Sequence, residues 1–418
     1  MLKYLIAVSQ DLIVAAILSG LLYALVDRSY DALGRKCMHV GLLAGALAAA
    51  VMSYLKNATS LVHTGVWNMR IFITATAALI LLTVFTVPAV KRKAPEAAKW
   101  VVCISAALIA ALLLFYELPD VYAYPYSFRK YNSYSVFSTE YLFRFIGFLG
   151  GLVLALLVFF AARYTSMRSK EKAAAAVTFA ALGVNAAEQI CKTLSTMLTR
   201  RMIKSTRALF SLVKFTSNHS SLFIYLSLLL VAVLAGILLA RSFRVNEPYG
   251  NPAQRRRIIA NWRSNRRWAS LLLVCCLLMV LNMTVFYALD NKPVVLSEAE
   301  EYAIENGSIY VSLAQVEDGH LHRFAYTTEN GVETRFIVIK KPNSSAYGIG
   351  LDACDICGET GYYERDGQVV CKLCDVVMNI NTIGFQGGCN PIPIDYRISE
   401  GYIIVPISTL VDHEKAFR

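Results

Sequence analysis

Long apolar runs separated by short polar stretches fill the first 290 residues of the sequence. A helix needs about 20 apolar residues to cross a hydrocarbon core of about 30 Å. Eight runs reach that length, at about 5–26, 37–55, 70–90, 100–118, 141–162, 173–195, 219–240 and 268–289. The pattern therefore predicts a polytopic α-helical membrane region over residues 1–290, with about eight transmembrane helices.

After residue 290 the pattern changes to short alternating runs. β-branched and aromatic residues cluster at 308–313, 321–327, 333–340 and 401–407, with Gly, Asn and Asp between them. This arrangement is typical of strands joined by turns. We expect residues 291–418 to form one small β-rich domain, whose thin core would need an additional staple.

Composition and charge divide the chain at the same place. The sequence is 56% hydrophobic and 17% charged, whereas a soluble domain has about a quarter charged residues. This composition argues against an ordinary cytosolic enzyme. The net charge is +20 over residues 1–290 and −8 over 291–418. Nucleic acid is a poor explanation for the basic excess, because those residues lie between apolar runs.

The distribution of Lys and Arg predicts the orientation in the membrane, because short cytoplasmic loops are enriched in them. One set of alternate loops contains 19 Lys and Arg, against nine in the other set. The richer set includes 241–267, and it should be cytoplasmic. Residues 291–418 should then be extracytoplasmic. The segment 196–218 has five basic residues on the external side, so it is either an amphipathic interfacial helix or evidence that the sixth run is misread.

Ionisable residues inside apolar runs are costly, and three of them require an interpretation. They are Asp11, His39 and Glu188. The functional interpretation places them on an ion, proton or cofactor path. The simpler interpretation is a hydrogen bond between helices, or a position near the headgroups.

Four cysteines after residue 350 have the spacing of a metal site. Cys354 and Cys357 form one C-x2-C pair, and Cys371 and Cys374 form a second pair 13 residues later. Two such hairpins can close a tetrahedron of four thiolates. That donor set suits zinc, a single iron or an iron–sulfur cluster. Two disulfides are the structural alternative.

Three further residues are candidate metal ligands. Cys389 lies in a segment with Gly387, Gly388 and two prolines, and it could be a fifth ligand, an exchangeable ligand, part of a second site, or simply buried. His320 and His322 are two residues apart, so their side chains would share a face of an extended chain. That geometry suits copper, iron or zinc, while solvated histidines at a strand edge are the alternative.

No Ser–His–Asp set, P-loop or Gly-x-Gly-x-x-Gly motif is present in the sequence. Hydrolysis and nucleotide use therefore have no support, and a classical enzyme is only weakly indicated. Two other classes stay open: a non-redox module that binds zinc or copper, and a transporter subunit with a regulatory metal-binding cap.

Two stretches carry a resemblance to a known family. They are DGHLHRFAY at 318–326 and LDACDICGETGYYERDGQVVCKLCDVVMNINTIGFQGGCNPIP at 351–393. Together they resemble the FtrD-like family of bacterial membrane iron–sulfur proteins. The resemblance matches Cys354, Cys357, Cys371 and Cys374 to the family's paired cysteines, and Cys389 to its GGCNPIP cysteine.

The resemblance also implies a cofactor, partners and a location. It implies an iron–sulfur cluster or iron in a protein of the bacterial inner membrane that works with a high-affinity ferrous iron uptake system. The implied partners are an iron permease and an extracytoplasmic iron-binding protein. The implied activity is to accept or relay the electrons released when Fe²⁺ is oxidised for transport.

Overall fold

The chain forms two compact units. The computed structural model describes residues 1–60, 62–130, 139–244, 247–292, 294–342, 344–365, 367–374 and 376–417. The first unit is Met1–Asn291, and the second is Lys292–Arg418.

The regular structure in the described part of the first unit is entirely helical. Its helices are α1 (Leu2–Ala58), α2 (Thr64–Thr86), α3 (Pro88–Lys93), α4 (Pro95–Lys130), α5 (Thr139–Arg168), α6 (Glu171–Thr199), α7 (Arg207–Asn218), α8 (Ser221–Ser242), α9 (Pro252–Leu281) and α10 (Tyr287–Asp290). A π-helical turn, Asn282–Phe286, joins α9 to α10. In the described part of the chain, seven helices are long and apolar enough to cross a membrane. The prediction of a polytopic helical region is confirmed.

Helix α1 contains two of the eight predicted apolar runs and folds back on itself. Its backbone is not helical at Tyr30 and Asp31, where Asp31 has φ 43° and ψ −118°. A hydrogen bond of 2.9 Å joins the Tyr23 hydroxyl to Nε2 of His39. Those residues would be about 24 Å apart along a straight helix. The two legs of α1 therefore pack side by side, and His39 has the structural role of joining them.

The first leg of α1 is the centre of the bundle. Its side chains Ile13, Ile17 and Leu21 are fully buried. On the second leg, large apolar side chains remain exposed at helical spacing. They are Val40, Leu43, Leu47, Val51 and Tyr54. An apolar stripe of this kind suits contact with lipid.

The basic segment 196–218 does not replace the sixth span. Helix α6 is one of the seven candidate spans and continues to Thr199. Arg207–Asn218 forms the separate helix α7, which is strongly amphipathic. The sixth apolar run was therefore read correctly, and the helical alternative for the basic segment matches the structure.

The described residues of the second unit form nine short strands, one short α-helix and a few 3-10 turns. The strands are β1 (Ala303–Glu305), β2 (Ser308–Ser312), β3 (His322–Thr327), β4 (Glu333–Lys340), β5 (Tyr347–Leu351), β6 (Tyr362–Arg365), β7 (Gln368–Cys371), β8 (Arg397–Ser399) and β9 (Tyr402–Pro406), and the helix is α11 (Ile407–Asp412). They form antiparallel sheets in the orders β1-β2-β9-β8, β3-β4-β5 and β6-β7. The four predicted strands and the β-rich fold class are confirmed.

Strand β4 separates two apolar cores, because successive side chains of a strand point to opposite faces. Phe336 and Val338 belong to the core that the two larger sheets share. Ile337 and Ile339 belong to a smaller core that also contains Cys354 and Cys371. The cysteine motifs therefore pack on one face of the three-stranded sheet, with the main core on the other.

Candidate metal centre

The first C-x2-C pair forms a tight backbone knuckle directly after β5. The amide of Gly358 donates to the carbonyl of Cys354 at 2.9 Å, and the amide of Cys357 donates to Sγ of Cys354 at 3.1 Å. Gly358 has φ +66°, a conformation that glycine adopts without steric cost. The turn places both thiols on the same side, as the spacing predicts.

The second C-x2-C pair begins at the end of β7. The amide of Cys371 donates to the carbonyl of Val376 at 3.0 Å, and the amide of Lys372 donates to the carbonyl of Gly361 at 3.0 Å. Cys371 is buried, whereas Cys374 is exposed. The hairpin of β6 and β7 therefore holds one sulfur inside the domain and one at its surface.

Glycines in β5 let the chain that contains Cys389 lie close to the sheet. A Cβ on Gly348 would be 2.9 Å from Cβ of Ile383, and one on Gly350 would be 2.8 Å from Cβ of Pro391. The amide of Leu351 also donates to the carbonyl of Ile392 at 2.7 Å. Backbone bonds and close packing together fix the position of this loop.

The five thiols of the domain lie together. Cys354, Cys357 and Cys389 form one group whose sulfurs are all within 4.8 Å of one another, and Cys357, Cys371 and Cys374 form a second. The sulfurs of Cys374 and Cys389 are 3.7 Å apart. The edge of a tetrahedron with metal–sulfur bonds of about 2.3 Å is about 3.8 Å. The spacing therefore fits thiolates around one ion, and a cluster of several irons would require the sulfurs to move apart.

The thiols differ in acidity. Burial raises the pKa of Cys357, and its hydrogen bonds with Cys374 and Cys371 raise it further. Burial and the contact with Cys374 raise the pKa of Cys389 to about 11. Burial opposes ionisation of Cys374 as well, but the Val376 amide and neighbouring thiols lower its pKa overall.

The pKa of each thiol depends on its neighbours, because two thiolates close together repel one another and ionisation of one opposes ionisation of the next. A bound cation would remove that repulsion and favour the thiolate form of its ligands. All ten cysteines are free thiols in the structure, which does not favour the two-disulfide alternative. The donor set and its spacing fit a thiophilic metal.

A buried polar network supports the first knuckle from behind. Asp352 is fully buried, and its carboxylate accepts hydrogen bonds from Nε of Arg323 at 2.8 Å and from the amide of Tyr362 at 2.8 Å. The Tyr362 hydroxyl donates to the carbonyl of Cys389 at 2.6 Å. Burial raises the pKa of Tyr362, so its hydroxyl keeps the proton that this bond needs. The network links the first knuckle to the Cys389 loop.

Sequence patterns alone did not single out Arg323, Asp352 and Tyr362. The one signal available in the sequence was the position of Asp352, two residues before Cys354. Its full burial is seen only in the structure, and ionisable residues are seldom fully buried without a partner. The partner, Arg323, is 29 residues away in sequence, and only the fold brings the two together.

The two histidines contact carboxylates. Nδ1 of the exposed His320 lies 2.9 Å from Glu364. The buried His322 contacts Glu300 through Nδ1 and Asp318 through Nε2, both at 2.8 Å. Strand β3 begins at His322, so His320 lies before the strand. The argument that the two side chains share a strand face therefore does not extend to His320. Neither residue belongs to the metal-ligand groups found among the described residues, and metal binding by the histidines stays a prediction.

The fold and the cysteine cluster define a multi-pass membrane protein whose C-terminal β-sheet unit has residues that could hold a metal ion. Residues 316–417 match the family model described as membrane iron-sulfur containing protein FtrD-like. The resemblance drawn from the sequence motifs is confirmed over this region. No curated protein and no solved structure matched the chain.

Proposed function

We propose that this protein is the membrane-anchored iron–sulfur or thiolate-iron electron-transfer component of a bacterial high-affinity iron uptake system. Oxidation of each Fe²⁺ to Fe³⁺ releases one electron, and in this proposal that electron passes through the thiolate site to an acceptor. The observation that carries the proposal is the gathering of five thiols in a region that matches a family described as iron-sulfur containing.

In this proposal Cys354, Cys357, Cys371 and Cys374 are ligands, and Cys389 is a fifth or exchangeable ligand. An iron or iron–sulfur centre held there supplies a one-electron redox couple. In the first knuckle, the amide of Cys357 donates to Sγ of Cys354 and helps to orient that sulfur. Burial of Cys354 and Cys371 limits access of water to that side of the site.

The surface around the motifs suits brief contact with a redox partner. Cys374 is exposed, so electrons can enter or leave on its side of the cluster. Within and beside the motifs, large apolar side chains are also exposed, namely Ile356, Leu373, Val376 and Phe385. Weak electron-transfer complexes use small contact areas, and a few apolar side chains beside the site would provide one.

The orientation and the partners follow from the same proposal. The helical unit would lie in the inner membrane. The excess of Lys and Arg in alternate loops supports an extracytoplasmic position for Lys292–Arg418. There the site could receive electrons from an extracytoplasmic iron-binding protein while the helices contact an iron permease. A zinc or copper module without redox chemistry is the principal alternative, because four thiolates also suit those metals.

Iron uptake in cells tests the role of the site. Cells that express only the Cys389→Ser variant of this protein should take up radioactive ferrous iron more slowly than wild-type cells. The control variant Cys37→Ser, in the membrane unit, should leave uptake unchanged. Membrane levels of both variants must match the wild type. Unchanged uptake in both Cys389→Ser and Cys374→Ser would contradict the proposal.

A further inference from the structure

A polar cavity lies inside the helical unit, away from the cysteine motifs. Its volume is about 410 Å³, and it lies between both legs of α1 and the helices α2, α4, α6 and α8. Its wall includes four carboxylates and two amines, all on helices that are candidate membrane spans. They are Asp11, Glu117, Asp120, Glu188, Lys56 and Lys192.

Two of the four carboxylates are paired with lysines. Nζ of Lys192 lies 2.7 Å from Glu188, and Nζ of Lys56 lies 2.6 Å from Asp120. Lys192 also donates to the hydroxyl of Tyr116 at 3.3 Å. These pairs account for both of the amines in the wall.

Among the described residues, the other two carboxylates form no ion pair. Asp11 accepts a hydrogen bond of 2.8 Å from the Tyr124 hydroxyl. Glu117 has no hydrogen bond or ion pair among the described residues, although its field reaches Lys192. With all six groups ionised, the wall has a net charge of −2. Asp11 and Glu117 are both half-buried, and an uncompensated charge of this size is costly within membrane-spanning helices.

A second cavity of about 410 Å³ shares Glu188 and Lys192 with the first. Its wall is rich in hydroxyl side chains of α6 and α7, including Ser195, Thr196, Thr216 and Ser217. Glu188 and Lys192 therefore border both cavities, and α7 contributes to the wall of the second.

We propose that the first cavity is a binding site for a divalent metal cation held by oxygen donors, with Asp11 and Glu117 as its charged ligands. A charge of +2 balances the two unpaired carboxylates. Amide side chains in the wall, including Gln10, Asn68 and Gln189, supply neutral oxygen ligands. Carboxylate, amide and water oxygens suit hard cations such as Mg²⁺, Ca²⁺ and Mn²⁺, so this site differs in chemistry from the thiolate cluster and does not rest on its function.

The test is titration of the purified full-length protein, in detergent at neutral pH, with Mn²⁺ as the probe. Free Mn²⁺ is measured by its EPR signal. The wild type should bind one Mn²⁺ per chain saturably. Changes in groups that only orient metal ligands cost about 10- to 100-fold in affinity, so Glu117→Gln and Asp11→Asn should each weaken binding by at least about tenfold.

Two control variants separate this site from other metal sites. Glu96→Gln removes an exposed carboxylate outside the cavity and should bind Mn²⁺ like the wild type. Cys357→Ser should also retain the Mn²⁺ site, because Mn²⁺ prefers oxygen to sulfur ligands. Failure of the thiolate proposal would therefore leave this result unchanged.

Two results would overturn the proposal. One is the absence of a saturable Mn²⁺ site in the wild type, which would mean that protons neutralise the cavity. The other is wild-type affinity in the Asp11→Asn, Glu117→Gln double variant. If that double variant does not fold, Glu117→Gln alone decides, because Glu117 has no hydrogen bond among the described residues to lose.

Discussion

Cys357 is the sulfur that both thiol groups have in common. It lies within 4.8 Å of Cys354 and Cys389 in one group, and of Cys371 and Cys374 in the other. Cys389 belongs to one group and comes from a loop outside the two C-x2-C pairs. The five thiols are therefore not equivalent.

We predict that Cys357→Ser and Cys389→Ser differ in metal retention. Loss of Cys357 should abolish metal binding at the thiolate site and make the domain sensitive to protease, because a thiolate site contributes folding energy when it holds its metal. Cys389→Ser should keep the main metal and the fold. Metal analysis and limited proteolysis of the full-length variants measure both. Full metal content in Cys357→Ser would show that the ligand set is wrong.

The titration of His320 can distinguish a metal ligand from a solvated histidine at a strand edge. Its hydrogen bond with Glu364 raises its pKa above the usual 6.5, and the field of that carboxylate adds to the shift. The raised pKa means that this contact favours the folded state below about pH 6.5. That contribution disappears as the pH rises through the folded-state pKa.

We therefore expect NMR titration of the wild type to give a pKa above 6.5 for His320, and Glu364→Gln to lower it. If His320 binds a metal instead, the metal displaces the proton from the ring, and protonation should require a lower pH. A His320 signal that does not titrate between pH 5 and 8 in the metal-loaded protein, but does after chelation, would favour the ligand interpretation.

At the scale of elements, the β6–β7 hairpin and the Cys389 loop are held to the sheet through close backbone approaches. Gly361 shows this most clearly. It has φ +82°, and a Cβ there would lie 2.9 Å from Oδ2 of Asp352 and 2.8 Å from Cδ1 of Leu296. The residue that begins the hairpin is thus fixed against the carboxylate that supports the first knuckle.

Gly361→Ala should destabilise the domain more than Gly367→Ala. Both glycines have positive φ, so both variants carry the left-handed penalty of about 1–2 kcal/mol. Only Gly361→Ala adds an overlap, typically worth about 1–3 kcal/mol, since no described atom lies within 4 Å of the position that a Cβ at Gly367 would take. Thermal unfolding of the two full-length variants gives the comparison. Equal losses would mean that the hairpin can move away from Asp352.

The strands and the two knuckles can be predicted from the sequence, whereas the long-range contacts that hold them in place cannot. Alternating runs identified strands β2, β3, β4 and β9, and the C-x2-C spacing identified both knuckles. The Cys389 alternatives could not be separated, because its place depends on glycines in β5 that are about 40 residues away. The partnership of Asp352 with Arg323 was likewise invisible, since both are ordinary charged residues until the fold buries them.

The membrane unit shows the same limit. Asp11 and Glu188 stood out because they interrupt apolar runs. Glu117 and Lys192 lie at or near the ends of such runs and did not stand out. Only the packing of α4 and α6 against α1 brings them to one cavity.

At the scale of the whole molecule, the proposed electron path depends on the side of the membrane on which the second unit lies. The segment 241–267 contains eight arginines and should stay in the cytoplasm. We predict that a reporter fused after residue 250 is active in the cytoplasm and that one fused after residue 350 is active only outside. Cytoplasmic activity of the fusion at 350 would remove the basis for an extracytoplasmic redox role.

The two proposed metal sites have different donors. The cysteine cluster offers sulfur, and the helical cavity offers oxygen. Soft and hard donors select different cations, so the two sites can be loaded and removed separately. A variant in one should leave the metal content of the other unchanged.

In the proposed function, the five-thiol cluster holds a redox-active iron centre. The most direct test is anaerobic purification of the full-length protein, followed by iron and sulfide analysis and by visible and EPR spectra before and after one-electron reduction. We predict iron in the protein and a visible absorbance that falls on reduction, both lost in Cys357→Ser. A colourless protein with one zinc per chain and no EPR change on reduction would contradict the claim.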